Sequence, residues 1–219
     1  MPGIFDPGFD ALPTGLPIFP LTGVLLLPQT RLPLNIFEPR YLNMTSAALA
    51  GSRMVGMIQP KGPNVGDQPA VYRTGCAGRL VSFSETEDGR YLITLSGLIR
   101  FDIAEEHELR DGYRVVTPDW TPYREDLSEG SSDGINRTRI LRSLRAYFTA
   151  NKVDANWEAI EETPSDRLVN ALAMMCPFQP SEKQALLEAR TLADRADVLT
   201  ALIEMSTAAG DEPASTHRN

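Results

Sequence analysis

The positions of apolar residues divide the chain into a β-rich first half and a helical second half. Up to about residue 121, apolar residues occur in short runs interrupted by Gly and Pro, a pattern typical of strands and turns. Farther along, they recur every three or four positions, which indicates amphipathic helices. We therefore predict an α+β fold in five parts: a flexible arm (1–15), a β subdomain (16–122), a linker (123–134), a helical bundle (135–210) and a disordered tail (211–219).

The first half contains several segments with the length and composition of strands. The most distinct pair forms a hairpin, residues 78–84 and 91–95, whose connecting Asp88-Gly89 predicts a type I′ turn. Prolines in two other segments indicate edge strands or bulges, because Pro cannot donate to a strand ladder. Many short strands at close spacing favour a small barrel or curled sheet. The other predicted strands are 16–21, 24–27, 32–37, 54–58, 98–103 and 113–117.

One helix is predicted among the strands, and four are predicted after them. The first begins at Glu38-Pro39, since Pro suits the first helical position, and ends at Gly51. Apolar stripes, caps and breakers mark the later four. They are expected around 140–148, from Thr163-Pro164 to before Pro177, from Ser181 with Gln184 in a capping box, and from Thr191 toward Gly210.

The net charge of the chain is −8, which argues against a nucleic-acid interface. Cationic side chains supply most of the affinity for phosphates, and here they are outnumbered. The best basic patch is a run of four arginines at helical spacing. These would either contact RNA or pair with the many nearby acidic residues, and pairing is the favoured interpretation. They are Arg137, Arg139, Arg142 and Arg145.

The two cysteines, Cys76 and Cys176, do not form the close pair that metal sites use. We expect two buried thiols in a reducing cytosol, and a lone disulfide is the alternative. The N-terminus lacks the basic and apolar regions of a signal peptide. No apolar run approaches the roughly 20 residues that span a bilayer. These features predict a cytoplasmic protein without a membrane partner.

The sequence contains no motif for catalysis. The pattern G-x-x-x-x-G-K-[ST] is absent, which argues against an ordinary P-loop nucleotide site. His107 lies in an acidic turn and His217 in the polar tail, so neither is expected to act as a base. A Ser–Lys dyad would need one of three lysines, and Lys183 is expected to be exposed in the first turn of a helix. We predict no catalytic residue, no metal site, no cofactor and no enzymatic activity.

The most distinctive segment, residues 32–41, places four functional side chains at a strand-to-helix corner. Phe37 and Tyr41 flank the charged pair Glu38 and Arg40. An aromatic pair around an acid–base pair can bind peptide, so these four residues are the candidate peptide-binding residues. The alternative is a structural corner in which the charged pair fixes the turn, and the residue pattern by itself favours that alternative.

Several motifs resemble the N-terminal substrate-binding domain of Lon proteases. The resemblance covers most of residues 16 to 205, and the segment 36–41 is its most specific part. The motifs are LPIFPL (16–21), VLLLP (24–28), LNIFEPRY (34–41), GMI (56–58), GCAGRL (75–80), DGRY (88–91), LSGLIRF (95–101), LVNALAM (168–174) and EKQALLE (182–188).

This resemblance implies a PUA-like β pseudo-barrel followed by a C-terminal helical bundle. It also implies a non-enzymatic, stand-alone module that binds unfolded proteins or peptides, with an adaptor role in protein quality control beside a protease or chaperone as a further expectation. The sequence departs from full-length Lon because it has no Walker A loop and no Ser–Lys protease domain. An RNA-binding role, by analogy with PUA domains, is the alternative.

Overall fold

The computed structural model describes residues 3–62, 69–128 and 132–210. Within these ranges, six strands with one inserted helix are followed by five more helices. The strands are β1 (Leu16–Pro20), β2 (Arg31–Ile36), β3 (Met54–Ile58), β4 (Thr74–Glu85), β5 (Tyr91–Glu106) and β6 (Arg114–Asp119). The helices are α1 (Pro39–Ala50), α2 (Arg137–Ala150), α3 (Trp157–Glu162), α4 (Ser165–Met175), α5 (Pro180–Glu188) and α6 (Leu192–Gly210).

Strand β5 closes the barrel, because its 16 residues pair with different neighbours along their length. Residues 91–96 pair with both β2 and β4, residues 97–102 pair with β4, and residues 102–106 pair with β6. Strands β3 and β1 complete the ring between β4 and β6. The segments 91–95 and 98–103, predicted as two strands, are thus one strand in which Leu98 forms a bulge. The predicted α+β fold, a β pseudo-barrel followed by helices, is confirmed.

The strand prolines lie where a ladder hydrogen bond is not needed. Pro33 lies in β2, the end strand of the sheet, as its missing N–H predicts. The edge-strand prediction is wrong for β1, which pairs with both β3 and β6. Pro17 has a register partner only in β6, and Pro20 only in β3. Each proline of β1 therefore lies opposite a residue of only one neighbouring strand.

The predicted strand at residues 24–27 is a loop, although Leu25, Leu26 and Leu27 are buried in the barrel core. The start of this loop is hydrogen-bonded to a side chain instead of a neighbouring strand. The Gln59 amide accepts a hydrogen bond from Gly23 N and donates one to Val24 O, both at 3.0 Å. The predicted strand at residues 24–27 is therefore wrong, although its leucines are buried as those of a strand would be.

The turn of the β4–β5 hairpin also differs from the prediction. A type I′ turn needs positive φ at both central residues, but only Gly89 has it, at 78°. Gly89 N donates to Thr86 O at 3.0 Å, and Thr86 N donates to Arg90 O at 2.9 Å. This pattern matches a type I turn followed by a bulge at the left-handed glycine.

The helices of the second half pack against one side of the barrel. Buried residues of α2, α4, α5 and α6 belong to the same apolar cluster as residues of α1, β4 and β5. The short helix α3 was not predicted, since six residues give little periodicity. Helix α5 begins at Pro180, and Gln179 N donates to the Glu182 carboxylate at 2.7 Å. The predicted capping box of Ser181 and Gln184 is therefore wrong by two residues.

Two segments predicted to be flexible contact the barrel instead. In the arm, Leu12 is buried and the Asp6 carboxylate pairs with Arg79 of β4 at 2.6 Å. In the predicted linker, Thr121–Leu127 forms 3-10 turns and Asp126 is buried. Local composition predicted flexibility, but these tertiary contacts hold both segments in place. Residues 129–131 of the linker and the predicted tail at 211–219 lie outside the described residues.

Arg100 of β5 connects the barrel to the helical half. Its guanidinium binds both carboxylate oxygens of Asp126, at 2.7 and 2.8 Å. It also donates to the main-chain oxygens of Leu187, Ala189 and Arg190, at 3.1, 2.6 and 3.3 Å. Burial opposes the charged form, but the Asp126 hydrogen bonds and charge raise the pKa of Arg100 above its ordinary value. The cation therefore stays charged at the junction.

Candidate functional site

The strand-to-helix corner is built by the end of β2 and the first turn of α1. Glu38 is the N-cap of α1, and Pro39 occupies the first helical position, where its missing N–H costs nothing. The Glu38 carboxylate accepts a hydrogen bond from Arg40 Nη2 at 2.8 Å. The structure therefore brings together the charged pair of the candidate peptide-binding residues.

The two aromatic candidates lie on opposite sides of this corner. Tyr41 is buried, with its ring centroid 4.2 Å from that of Phe19. Burial raises the pKa of the Tyr41 phenol, and the nearby Arg40 opposes that shift. Phe37 is 61% exposed, although it follows the buried Ile36. Tyr41 is thus part of the core, while Phe37 can contact another molecule.

Phe37 lies next to the start of β5 in the β4–β5 hairpin, and we name this region the hairpin corner: Phe37, Phe83, Arg90 and Tyr91. The Phe83 and Tyr91 ring centroids are 5.0 Å apart in an edge-to-face arrangement. The Arg90 guanidinium carbon lies 5.9 Å from the centroid of the Phe37 ring. Tyr91 is the register partner of Ile36, which brings the hairpin beside Phe37. The exposed Phe37 ring, with Arg90 beside it, and the Phe83–Tyr91 pair therefore lie at the same end of the β2–β5 ladder.

Phe83 and Tyr91 of the hairpin corner were not among the predicted site residues. Both lie in the correctly predicted hairpin, but Phe37 is distant from them in sequence. The signal that joins them is the pairing of β2 with β5, in which Pro33 lies opposite Thr94 and Ile36 opposite Tyr91. A register for β2 was not predicted, so the exposed aromatic residues could not be assigned to one surface.

Two of the four arginines in the patch of α2 are paired with acidic residues. Arg139 pairs with Glu204 of α6 at 2.8 Å, and Arg145 forms an ion pair with Glu161 of α3. Hydrogen bonds from Arg139 and Ser143 lower the pKa of Glu204 to about 2. Arg137 donates to Ser165 Oγ and to main-chain oxygens of α3. Pairing with acids, the favoured interpretation of this patch, is what the structure shows for Arg139 and Arg145.

Both cysteines and Lys183 are buried. Cys76 and Cys176 are both free and buried, and burial raises the pKa of each thiol, that of Cys176 to about 11. Lys183 was predicted to be exposed but is buried, because the loop before residue 24 covers it. Its ammonium donates to Gly23 O at 2.8 Å and to Met174 O at 3.0 Å, and burial lowers its pKa. The lysine therefore joins α5 to that loop and to the end of α4.

The side chain of His107 contacts a threonine hydroxyl. His107 Nε2 lies 2.8 Å from Thr117 Oγ1 at the exposed end of β5. Across the three described ranges, His, Cys, Asp and Glu side chains do not gather in a group of three that could hold a metal ion. None of the helices described here has the combination of length and hydropathy needed to cross a membrane.

The family model for the ATP-dependent protease La (LON) substrate-binding domain matches residues 15–205. Lon protease 1 of Hydrogenovibrio crunogenus is 23% identical over 198 residues, which cover 87% of this chain and 24% of that protein. Lon protease of Dictyoglomus thermophilum is 23% identical over 202 residues, which cover 86% of this chain and 24% of that protein. The chain thus spans about a quarter of the length of these curated relatives.

Solved structures with the same fold are also N-terminal domains. A Lon N-terminal domain protein from Xanthomonas campestris aligns with a TM-score of 0.59 and 22% identity, covering 86% of this chain and 98% of that one. The N-terminal domain of the Mycobacterium avium complex Lon protease aligns with a TM-score of 0.60 and 17% identity, covering 86% and 97%. At these identities the alignments show the fold alone.

Proposed function

The chain belongs to the family of LON substrate-binding domains, and on that premise we propose that it binds unfolded proteins or peptides through the hairpin corner. The observation that carries the proposal is the exposure of Phe37, at 61%, next to a hairpin that carries the partly exposed Phe83. Contiguous exposed apolar surface is unfavourable in water unless a partner covers it. Exposed chain segments of unfolded proteins carry the apolar side chains that would cover these rings.

The proposal changes the role of the predicted site residues. Phe37 is the contact residue, and Phe83 and Tyr91 extend its surface. Glu38 and Arg40 fix the corner and supply charge at its edge, while Tyr41 supports it from the core. A peptide on Phe37 would also lie near β2, whose end position in the sheet gives it an edge to which an extended segment can align.

We further propose that binding involves no catalysis, and that a separate protease or chaperone acts on the bound client. The match to the family covers the substrate-binding part of the relatives. Purified protein is expected to hydrolyse neither ATP nor a labelled unfolded protein. Hydrolysis that copurifies with the chain and is altered by a substitution in it would contradict this part of the proposal.

A titration with an unfolded client tests the binding role. A labelled protein that has been reduced and carbamidomethylated stays unfolded without gaining charge, and its anisotropy is followed as the chain is added. Substituting Phe37→Ser together with Phe83→Ser is expected to weaken binding by at least about tenfold, since each large apolar contact contributes on the order of 1–3 kcal/mol.

The matched control carries Val153→Ser together with Met205→Ser. These two residues are 46% and 57% exposed and lie in the helical half. The control is expected to bind like the unaltered chain. Equal weakening in both double variants, or none in either, would exclude the hairpin corner as the binding surface. RNA titrated in the same way is expected to give no salt-dependent binding, because the chain carries a net charge of −8 and Arg139 and Arg145 of α2 are paired with acids.

A further inference from the structure

A groove of about 840 Å³ lies between the outer face of the barrel and α4, away from the core side of the sheet. Arg31 of β2 and Arg79 of β4 both lie opposite Ser96 of β5 in the strand register. These two arginines therefore share one face of the sheet, about 10 Å apart across the intervening strand. Arg167 and Met175 of α4 line the opposite side. The size is in the range of sites that bind part of a peptide.

The apolar part of the groove consists of flexible side chains. Met175 is 75% exposed, and Met174 beside it is half-buried. Val81 of β4 lies across from them and is 38% exposed. Methionine adapts to apolar partners of different shape, because it is unbranched and polarizable. This end of the groove can therefore accept more than one kind of apolar side chain.

The charged part of the groove has a positive surplus once its ion pairs are removed. Asp6 is paired with Arg79, and Asp126, which lines the groove, is paired with Arg100. The remaining charged residues are Arg31, Arg167 and Asp166, and within the described residues none of the three forms an ion pair. Two cations against one anion leave a local charge of +1, although the whole chain carries −8.

We propose that this groove selects, among the unfolded segments bound under the proposed function, those with an apolar side chain next to a carboxylate. The apolar side chain would contact Met174, Met175 and Val81, and the carboxylate would lie between Arg31 and Arg167. Arginine suits this role because its planar guanidinium can bind both carboxylate oxygens. The proposal rests on the proposed function but uses a surface distinct from the hairpin corner.

Three labelled peptides of about ten residues test the selection. They share leucines on a Gly-Ser background and differ only in whether Asp, Asn or Lys follows each leucine. By anisotropy, the Asp peptide is expected to bind at least about tenfold more tightly than the Lys peptide, with the Asn peptide between them. The double variant Arg31→Glu with Arg167→Glu is expected to reverse that order. Met175→Ser is expected to weaken all three peptides.

Two control variants lie outside the groove. Lys152→Glu makes the same kind of charge reversal in the turn after α2, and Met205→Ser removes an exposed methionine of α6. Both are expected to keep the order and the affinities of the unaltered chain. Equal binding of the Asp and Lys peptides, or an order that survives reversal of both groove arginines, would overturn the proposal. The proposed function would then still stand if the unfolded client binds and the hairpin-corner variant loses it.

Discussion

The ion pair between Arg100 and Asp126 gives the sharpest test of how the two halves are held together. Their side chains are 6% and 8% exposed, so water screens neither. Asn at position 126 keeps the shape of the side chain but removes its charge. The Arg100 cation would then remain buried among main-chain oxygens without a counter-charge.

The expected cost of Asp126→Asn is large on the scale of protein stability. Removing one partner of a buried, hydrogen-bonded ion pair destabilises a protein by about 3–5 kcal/mol. Urea slopes for small proteins are about 1–3 kcal/mol per molar. The urea midpoint is therefore expected to fall by about 2 M, measured by circular dichroism with an unchanged slope.

Asp10→Asn is the matched control, because it removes the same charge from an exposed pair. The Asp10 carboxylate is 3.8 Å from Arg124 and its side chain is 99% exposed. Exposed pairs contribute little, so this midpoint is expected to stay where it is. If Asp126→Asn shifts the midpoint no more than Asp10→Asn does, the buried pair does not join the halves as described.

Three further predictions concern the core, the acid range and the thiols. In urea unfolding, Gly97→Ala is expected to destabilise the chain by about 3 kcal/mol or more, because the added Cβ would lie 2.0 Å from a main-chain oxygen. Gly8→Ala, whose Cβ would point into open space, is expected to be neutral or stabilising. The pKa of Glu204 is lowered from 4.5 to about 2, so its stabilising contribution is present above pH 4.5 and is lost as the pH falls toward 2. Glu204→Gln is therefore expected to reduce the dependence of the melting temperature on pH in that window. An unchanged pH dependence would contradict the ion pair. Neither Cys76 nor Cys176 is expected to react with a thiol reagent at pH 8 before unfolding, and a fast-reacting native thiol would contradict their burial.

Helices, strands and turns whose signals lie within neighbouring residues were predicted from the sequence. The helix from Pro39 to Ala50 was predicted because its start, stripe and end are local signals. The β4–β5 hairpin was predicted for the same reason. These elements, with the change of period after the barrel, gave the α+β fold.

Features that depend on distant residues were missed. Residues 25–27 are apolar and buried like a strand, but the main-chain oxygen of the preceding Val24 is bound by Gln59, 35 residues away. Lys183 has the sequence context of an exposed residue, and the loop at Gly23 buries it. No local pattern contains either partner.

Only part of the candidate site was predicted, because the rest depends on residues that are distant in sequence. Phe37, Glu38 and Arg40 lie at the predicted corner, and Tyr41 does not share their surface. The aromatic residues that complete the corner come from β4 and β5, and their position depends on the register of β2. A sequence gives strand pairing only where a short turn fixes it, and β2 has no such turn to β5.

Hydrogen–deuterium exchange with and without the carbamidomethylated client is the most direct test of the proposed binding surface. Added client is expected to slow exchange in β2 and Phe37 and in the hairpin from Phe83 to Leu92, while exchange at α2 and α6 stays unchanged. Protection confined to the helical half, or no protection at a client concentration that saturates binding, would contradict the account.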